Sequence, residues 1–317
     1  MNIIIPDIDS LIASLIELPE LIKLGCVNKY FYELVSRQDV VKQWLMINKH
    51  GKISIQETFK KICAHGFLLY GMFFIRKENK INIHACDEDA FRSSCQNGHI
   101  QIAHWLIRLC ESGEYGKIDI HAHNEYGFRY SCDNDHIEIA RWLIQLGEAG
   151  EYGKIDIHAD NEYSFISSCR NGHIEIAHWL IQLCESGEYG KINIHADNEH
   201  AFRYSCHKGH IQIARWLIQL GEYGKYGKID IHADNEYAFR WSCQNDHIEI
   251  ANWLVYLGDS GKYGKINIHA CNENAFRYSC QNGHIQIARW LIQLGESRKK
   301  YTKIDQKIID KYIKKLH

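Results

Sequence analysis

Cysteine and histidine recur in this chain at one fixed spacing: Cys95 with His99, Cys132 with His136, Cys169 with His173, and onward to Cys280 with His284. A second histidine column runs from His84 to His269. Such residues can ligate zinc, and a thiol beside an imidazole can act as a nucleophile. The arrangement argues against both. Zinc needs four ligands converging on one point, whereas each Cys-x-x-x-His pair supplies two at most, and equivalent pairs should lie about 10 Å apart, one helix spacing. That separation also forbids disulfides along the column. Six near-identical surroundings do not build one nucleophile, and no phosphate loop, paired-carboxylate cleft or nucleophile elbow occurs elsewhere. No catalytic residue, metal or cofactor is expected; the cysteines read as small core residues and the turn histidines as hydrogen-bonding groups.

The elements that would carry these residues follow from a repeat. Ile81 to Lys117 reads INIHACDEDAFRSSCQNGHIQIAHWLIRLCESGEYGK, and equivalent units begin at Ile118, Ile155, Ile192, Ile229 and Ile266, a period of 37 residues. Upstream, TFKKICAHGFLLYGMFFI places Phe59 on the Phe91 position, Cys63 on Cys95, Gly66 on Gly98 and Ile75 on Ile107, a worn opening repeat over 51–80. The full repeats span 81–303, and KIDQKIIDKYIKKLH restarts the pattern as a lysine-rich cap over 304–317. The net charge of −2 lacks the electrostatic footprint of a general nucleic-acid binder. Asp7, Asp9, Glu17 and Glu20 interrupt the apolar N-terminus, so neither a secretion signal nor a membrane span is expected. The twelve cysteines are accordingly expected as thiols, in a monomer with an intracellular location.

Within a unit the local signals predict two short helices joined by a tight turn. Asp87, Asn124, Asn161, Asn198, Asn235 and Asn272 read as N-caps of the first helix, each followed by a glutamate. Four residues on stands an arginine in five copies: Glu88 with Arg92, Glu125 with Arg129, Glu199 with Arg203, Glu236 with Arg240 and Glu273 with Arg277. These i,i+4 pairs are expected to bridge, and Ile166 in the third copy marks them as dispensable. The helix should stop at Gly98, Gly172, Gly209 or Gly283, with Asp135 and Asp246 filling the same left-handed slot. Ile100, Ile102, Ala103, Trp105, Leu106, Ile107 and Leu109 make the second helix apolar around most of its circumference, so neighbouring units must cover it. No unit should fold alone.

GHIQIAHWLI and its copies resemble the second helix of the ankyrin repeat, and FRSSCQNGH resembles its first helix and turn. The resemblance covers the chain from about Gly51 to His317 and implies an all-α solenoid of helix-turn-helix units. Asp89-Ala90-Phe91-Arg92 replaces the usual Thr-Pro-Leu-His, so the N-cap and ion pair are expected to stand in for that motif's hydrogen bonds. The surplus over the usual unit falls in ESGEYGK, which should lengthen each finger; this extended period, with Ile-Asp-Ile-His-Ala, is similar to ankyrin proteins of giant DNA viruses. That likeness implies a host-cell location, in cytoplasm or nucleus. Ankyrin repeats bind proteins in a concave groove formed by fingers and first helices. Comparing this chain's own copies, the varied positions carry Asp89, Tyr126, Tyr163, His200, Tyr237 and Asn274 in one column, Ser93, Tyr130, Ser167, Tyr204, Trp241 and Tyr278 in a second, and Gln96, Asp133, Arg170, His207, Gln244 and Gln281 in a third. Aromatic anchors on such a face suit a protein interface, and padding between helices is the other reading of the tyrosines.

Before the repeats, apolar residues cluster at Leu11, Ile12, Leu15 and Ile16, at Leu21, Ile22 and Leu24, and at Val27, Phe31, Leu34 and Val35, predicting three short helices over 1–50. This segment resembles an F-box: an opening Ile5-Pro6, Leu15-Ile16, Leu18-Pro19-Glu20-Leu21, Val27-Asn28-Lys29-Tyr30-Phe31 and Trp44, with Asp9 and Ser10 in place of the usual Glu-Leu. The resemblance implies that Pro6, Leu15, Ile16, Leu21, Leu24, Val27 and Phe31 dock a Skp1-like adaptor of a cullin ubiquitin ligase. Two functions are thereby expected as alternatives, a substrate-recruiting ligase adaptor or a scaffold that sequesters a partner. Packing on and capping the array's entry end is the other reading of the head, since a solenoid terminus needs covering.

Overall fold

The computed structural model describes residues 54–77, 81–111, 113–297 and 301–313. The head over 1–50, with Pro6, Leu15, Ile16, Leu21, Leu24, Val27 and Phe31, lies outside the described residues. All regular structure among the described residues is helical. The chain divides into two compact units, one of Met1–Ser94 with Gln101–Ile118 and one of Cys95–Ile100 with Asp119–His317.

In the first unit, α1 (Ile55–Ala64) and α2 (Leu68–Lys77) form a helix pair, followed by most of α3 (Ala85–Gln96) and α4 (Ile100–Glu111). Ser54 caps α1, its hydroxyl accepting the Glu57 N–H at 3.1 Å. Phe59, Ile62 and Cys63 are fully buried, Phe59 meets the Trp105 ring edge-on with centroids 6.2 Å apart, and Gly66 ends the first helix at φ +76°. The worn repeat thus uses the same buried Phe and Cys and the same left-handed glycine as the full ones.

In the second unit the helix pairs are α5 (Ala122–Asp133) and α6 (Ile137–Glu148), α7 (Ala159–Asn171) and α8 (Ile174–Glu185), α9 (Ala196–Lys208) and α10 (Ile211–Glu222), α11 (Ala233–Gln244) and α12 (Ile248–Asp259), and α13 (Ala270–Gln281) and α14 (Ile285–Ser297); α15 (Gln306–Ile313) follows. First helices pack side by side in succession, and α15 packs on α13. Phe128, Phe165, Phe202 and Phe239 are buried, and each is covered by a tryptophan of the following repeat: Trp179, Trp216, Trp253 and Trp290, at 6.2–6.4 Å between centroids. Each of these four repeats therefore completes its core with a side chain it does not own. Cys132, Cys169, Cys206 and Cys243 lie fully buried beside that column, as do Ser131, Ser168, Ser205 and Ser242, whose hydroxyls donate to carbonyls of their own helix. At the far end Tyr312 of α15 is buried, and Arg277 Nε donates to its hydroxyl at 3.3 Å.

The expected N-caps are not caps. Three consecutive residues per copy, such as His123, Asn124 and Glu125 or Asp197, Asn198 and Glu199, take left-handed φ values of 51–65° in all six repeats, so the regular right-handed helix starts only after the glutamate. Asn and Asp tolerate this region better than most residues, which explains their recurrence there. The Glu–Arg bridge is also replaced. Arg129 Nε donates to the Asn124 carbonyl at 2.6 Å and Nη2 to that of His123 at 3.2 Å; Arg203 and Arg240 repeat the pattern. The arginine clamps the left-handed turn because carbonyls pointing back along it meet the guanidinium fork. Asp160, Asn161 and Glu162 keep the turn although Ile166 stands in the arginine's place.

Candidate partner-binding face

The glutamates freed from arginine join repeats together. His121 Nδ1 bonds Glu125 Oε1 at 2.8 Å, its Nε2 bonds the Tyr152 carbonyl at 2.8 Å, and Glu125 Oε1 also accepts the Asp156 N–H at 3.1 Å. The same relay runs through His158, Glu162, Tyr189 and Asn193, through His195, Glu199, Tyr226 and Asp230, and through His232, Glu236, Tyr263 and Asn267. His84, Glu88 and Tyr115 form it in the first unit, and at the far end the Thr302 hydroxyl meets His269 Nε2 at 2.6 Å. Glu125, Glu162, Glu199 and Glu236 are buried, and each bonds the histidine four residues before it and the backbone N–H 31 residues after it. This relay supplies the inter-unit hydrogen bonds assigned above to an N-cap and ion pair.

In His84, His121, His158 and His232 both ring nitrogens face acceptors, a geometry that suits the doubly protonated ring. Burial, the largest single influence, opposes the charge. The tyrosine carbonyl and the glutamate together outweigh it and hold His121, His158 and His232, like His84 of the first unit, above the ordinary histidine value. The turn histidines go the other way: burial holds His136, His210 and His247 below it. His173 Nε2 reaches the Asp133 carbonyl at 3.0 Å, and Asn171, Asn245 and Asn282 donate to the carbonyls of Asp133, His207 and Gln244. Because the fold uses the backbone oxygens of that third column, its side chains are free to vary.

With the first helices held in register, their varied side chains gather in two clusters. In one, Tyr126 and Tyr130 stack with centroids 4.1 Å apart, Tyr130 and Tyr163 meet at 5.5 Å, and the Arg129 guanidinium lies 5.1 Å from the Tyr163 centroid. Arg170 closes it, 6.0 Å from that ring and donating to Asp133 at 2.8 Å, while the Tyr126 hydroxyl donates to Gln96 at 2.8 Å. In the other, His200 stacks on Tyr204 at 4.1 Å, His207 stacks on Trp241 at 4.5 Å, and Tyr237 lies 5.3 Å from Tyr204 and 5.5 Å from Trp241, its hydroxyl 3.0 Å from His207 Nδ1. Arg203 lies 4.9 Å from the Tyr237 centroid. Burial lifts the Tyr163 phenol to about 12 and lowers His200 and His207, so the face presents neutral rings. Tyr126, Tyr130, Tyr163, Arg170, Tyr204, His207 and Trp241 stay partly exposed, Tyr237 is buried, and Tyr278 is partly exposed at the equivalent place on α13. Tyr237 is thus padding as well as wall. His200, from the first varied column, joins these clusters, as do Arg129 and Arg203, which the sequence assigns to ion pairs; the recurrence of arginine one residue before the aromatic column was the available signal.

The thiols are poorly placed for chemistry: burial pushes Cys132, Cys169, Cys206 and Cys243 upward. Among the described residues no group of three or more His, Cys, Asp or Glu could hold a metal ion, and no helix is long and apolar enough to cross a membrane.

A stack of helix pairs presenting a varied, partly exposed aromatic wall on an invariant frame defines a repeat scaffold for protein binding. The ankyrin-repeat family model matches residues 130–231 and 165–270, so this part of the chain carries ankyrin repeats, a protein–protein interaction module. No curated protein matches the chain.

Proposed function

We propose that the first-helix face of the second unit grips a polypeptide partner and that the chain works without catalysis, as a recruiter. The observation that carries this reading is the stacked aromatic clusters: rings fixed by one another and by arginines lose little side-chain entropy on binding, yet most keep an exposed surface. A photo-crosslinking side chain at position 204 should give discrete protein adducts in extracts of a host cell, and Trp241→Ala should abolish them. Equal adducts from position 219 on a second helix would remove the proposal.

The finer reading is a substrate-recruiting adaptor of a cullin ubiquitin ligase, in which the head binds a Skp1-like protein and the repeats present a captured target. Its support is the F-box resemblance of Pro6, Leu15-Ile16, Leu18-Pro19-Glu20-Leu21 and Val27 to Phe31. On this reading the chain acts as a monomer in host cytoplasm or nucleus, a location supported by the resemblance of its extended repeat to ankyrin proteins of giant DNA viruses. A purified Skp1-like adaptor should bind the full chain and not a chain lacking residues 1–50. Absence of binding to the full chain leaves the alternative, a scaffold that sequesters its partner without ubiquitin machinery.

A further inference from the structure

The finger row of the second unit changes character partway along. The fingers after α6 and α8 each carry two acids and one lysine: Glu148, Glu151 and Lys154, then Glu185, Glu188 and Lys191. Those after α10 and α12 carry one acid and two lysines: Glu222, Lys225 and Lys228, then Asp259, Lys262 and Lys265. The change alters the pairing. Lys154 meets the Glu188 carboxylate at 3.0 Å, but where the next finger has lysine in that place, Lys191 and Lys228 donate to the backbone carbonyls of Lys225 and Lys262. Their other neighbours are the rings of Tyr226, 4.7 Å away, and Tyr263, 4.2 Å away. Neither a carbonyl nor a ring neutralises an ammonium, so positive charge accumulates along these fingers although Lys225 pairs with Glu185 at 3.3 Å and Lys262 with Glu222 at 2.7 Å.

Two aromatic departures fall in the same repeats. Tyr223 stands where the sister copies have Ala149, Ser186 and Ser260, and Tyr256 where they have Gln145, Gln182, Gln219 and Gln293. They are 84% and 72% exposed, the most exposed large apolar residues among those described. Tyr223 adjoins Glu222, which holds both Lys262 and the Tyr263 hydroxyl, and Glu249, on the helix that carries Tyr256, accepts from Arg215 of α10 at 3.0 Å. Both rings and the added lysines thus fall in the same two repeats, with Tyr223 in one finger with Lys225 and Lys228. Sister residues fill the same positions without them, so the fold does not require either tyrosine.

We propose that the fingers and second-helix ends of the repeats starting at Ile192 and Ile229 form a second docking surface, separate from the first-helix face, for an acidic polypeptide segment with apolar side chains. Its carboxylates meet Lys225, Lys228 and Lys262, together with Lys191 at the edge of the preceding finger, and its apolar groups cover Tyr223 and Tyr256. Charge complementarity selects this occupant: an exposed ring pair amid surplus ammonium groups rewards a ligand that brings both carboxylate and hydrocarbon.

The test restores the sister residues in the full chain: Tyr223→Ser, Tyr256→Gln, Lys225→Glu and Lys262→Glu, with the tyrosine pair and the lysine pair also changed separately so that one folded variant remains should the fourfold one melt. A fluorescein-labelled peptide of alternating glutamate and leucine, read by anisotropy, should bind the unchanged chain with a Kd that rises with salt, and the substitutions should weaken it at least tenfold while the melting midpoint stays put. Trp241→Ala on the first-helix face should leave this binding unchanged, so failure here and failure of the first-helix reading are distinguishable. Peptide binding that is absent, or indifferent to both pairs of substitutions, overturns the proposal. Tighter binding of oligouridylate than of the peptide also overturns it, assigning the lysines to a nucleic acid.

Discussion

At the residue scale, the finger and turn histidines of the repeats starting at Ile118 and Ile229 carry opposite pH dependence. Finger histidines such as His121, His158 and His232 sit above their ordinary value in the folded chain, so the stability they contribute is complete below the unfolded value of 6.5 and is lost as pH rises through the folded values. Turn histidines such as His210 and His247 sit below it, so their contribution is present above 6.5 and is lost as pH falls. Melting midpoints should therefore decline on both sides of a maximum near neutrality. His232→Gln should flatten the alkaline limb and His210→Gln the acid limb, as thermal melts across a pH series would read. An alkaline limb unaltered by His232→Gln would contradict the charge given to that ring.

At the scale of one element, the turn after the first helix shows how a backbone slot accepts two chemistries. Gly172 takes φ +89°, and a Cβ there would come within 2.7 Å of His210 Cε1. Asp135 fills the equivalent slot at φ +65°, and its carboxylate lies 3.5 Å from His173 Nδ1. Aspartate thus tolerates the left-handed backbone and gives the crowded histidine a partner. Gly172→Ala should cost roughly 1–3 kcal/mol through backbone strain and the displaced ring, and Gly172→Asp measurably less, by chemical denaturation. The sequence already disclosed this slot, because Gly and Asp alternate in it. It disguised the left-handed turn before the first helix, since Asn followed by Glu reads equally well as a cap; the carbonyls of that turn meet an arginine five and six residues on, a pairing that a cap reading gives no reason to expect.

At the scale of the whole molecule, every interface between repeats of the second unit repeats the same terms, a phenylalanine under the next tryptophan and a histidine–glutamate relay. Phe202→Ala should destabilise the chain by roughly 3–5 kcal/mol, because the cavity lies beneath Trp253 and spans two repeats. Residues 155–191 alone should show no cooperative melt, whereas the chain with those residues excised should stay folded by circular dichroism, since Trp216 can then cover Phe128 as Trp179 does. A cooperatively melting isolated repeat would refute the shared-core account.

The sequence by itself determined the period, the helix pairs, the buried Cys column, the apolar second helix and the variable positions of the first helix, because periodic apolar spacing and local turn chemistry act over a few residues. Only the tertiary structure decided the handedness of the turn at Asn124 and its sister residues, the partners of Glu125 and Arg129, and the gathering of Tyr204, His207, Tyr237 and Trp241 into one cluster. The physical reason is distance along the chain. A buried carboxylate takes whichever donor can reach it, and here one donor arrives from the next repeat, 31 residues away, where no local pattern records it.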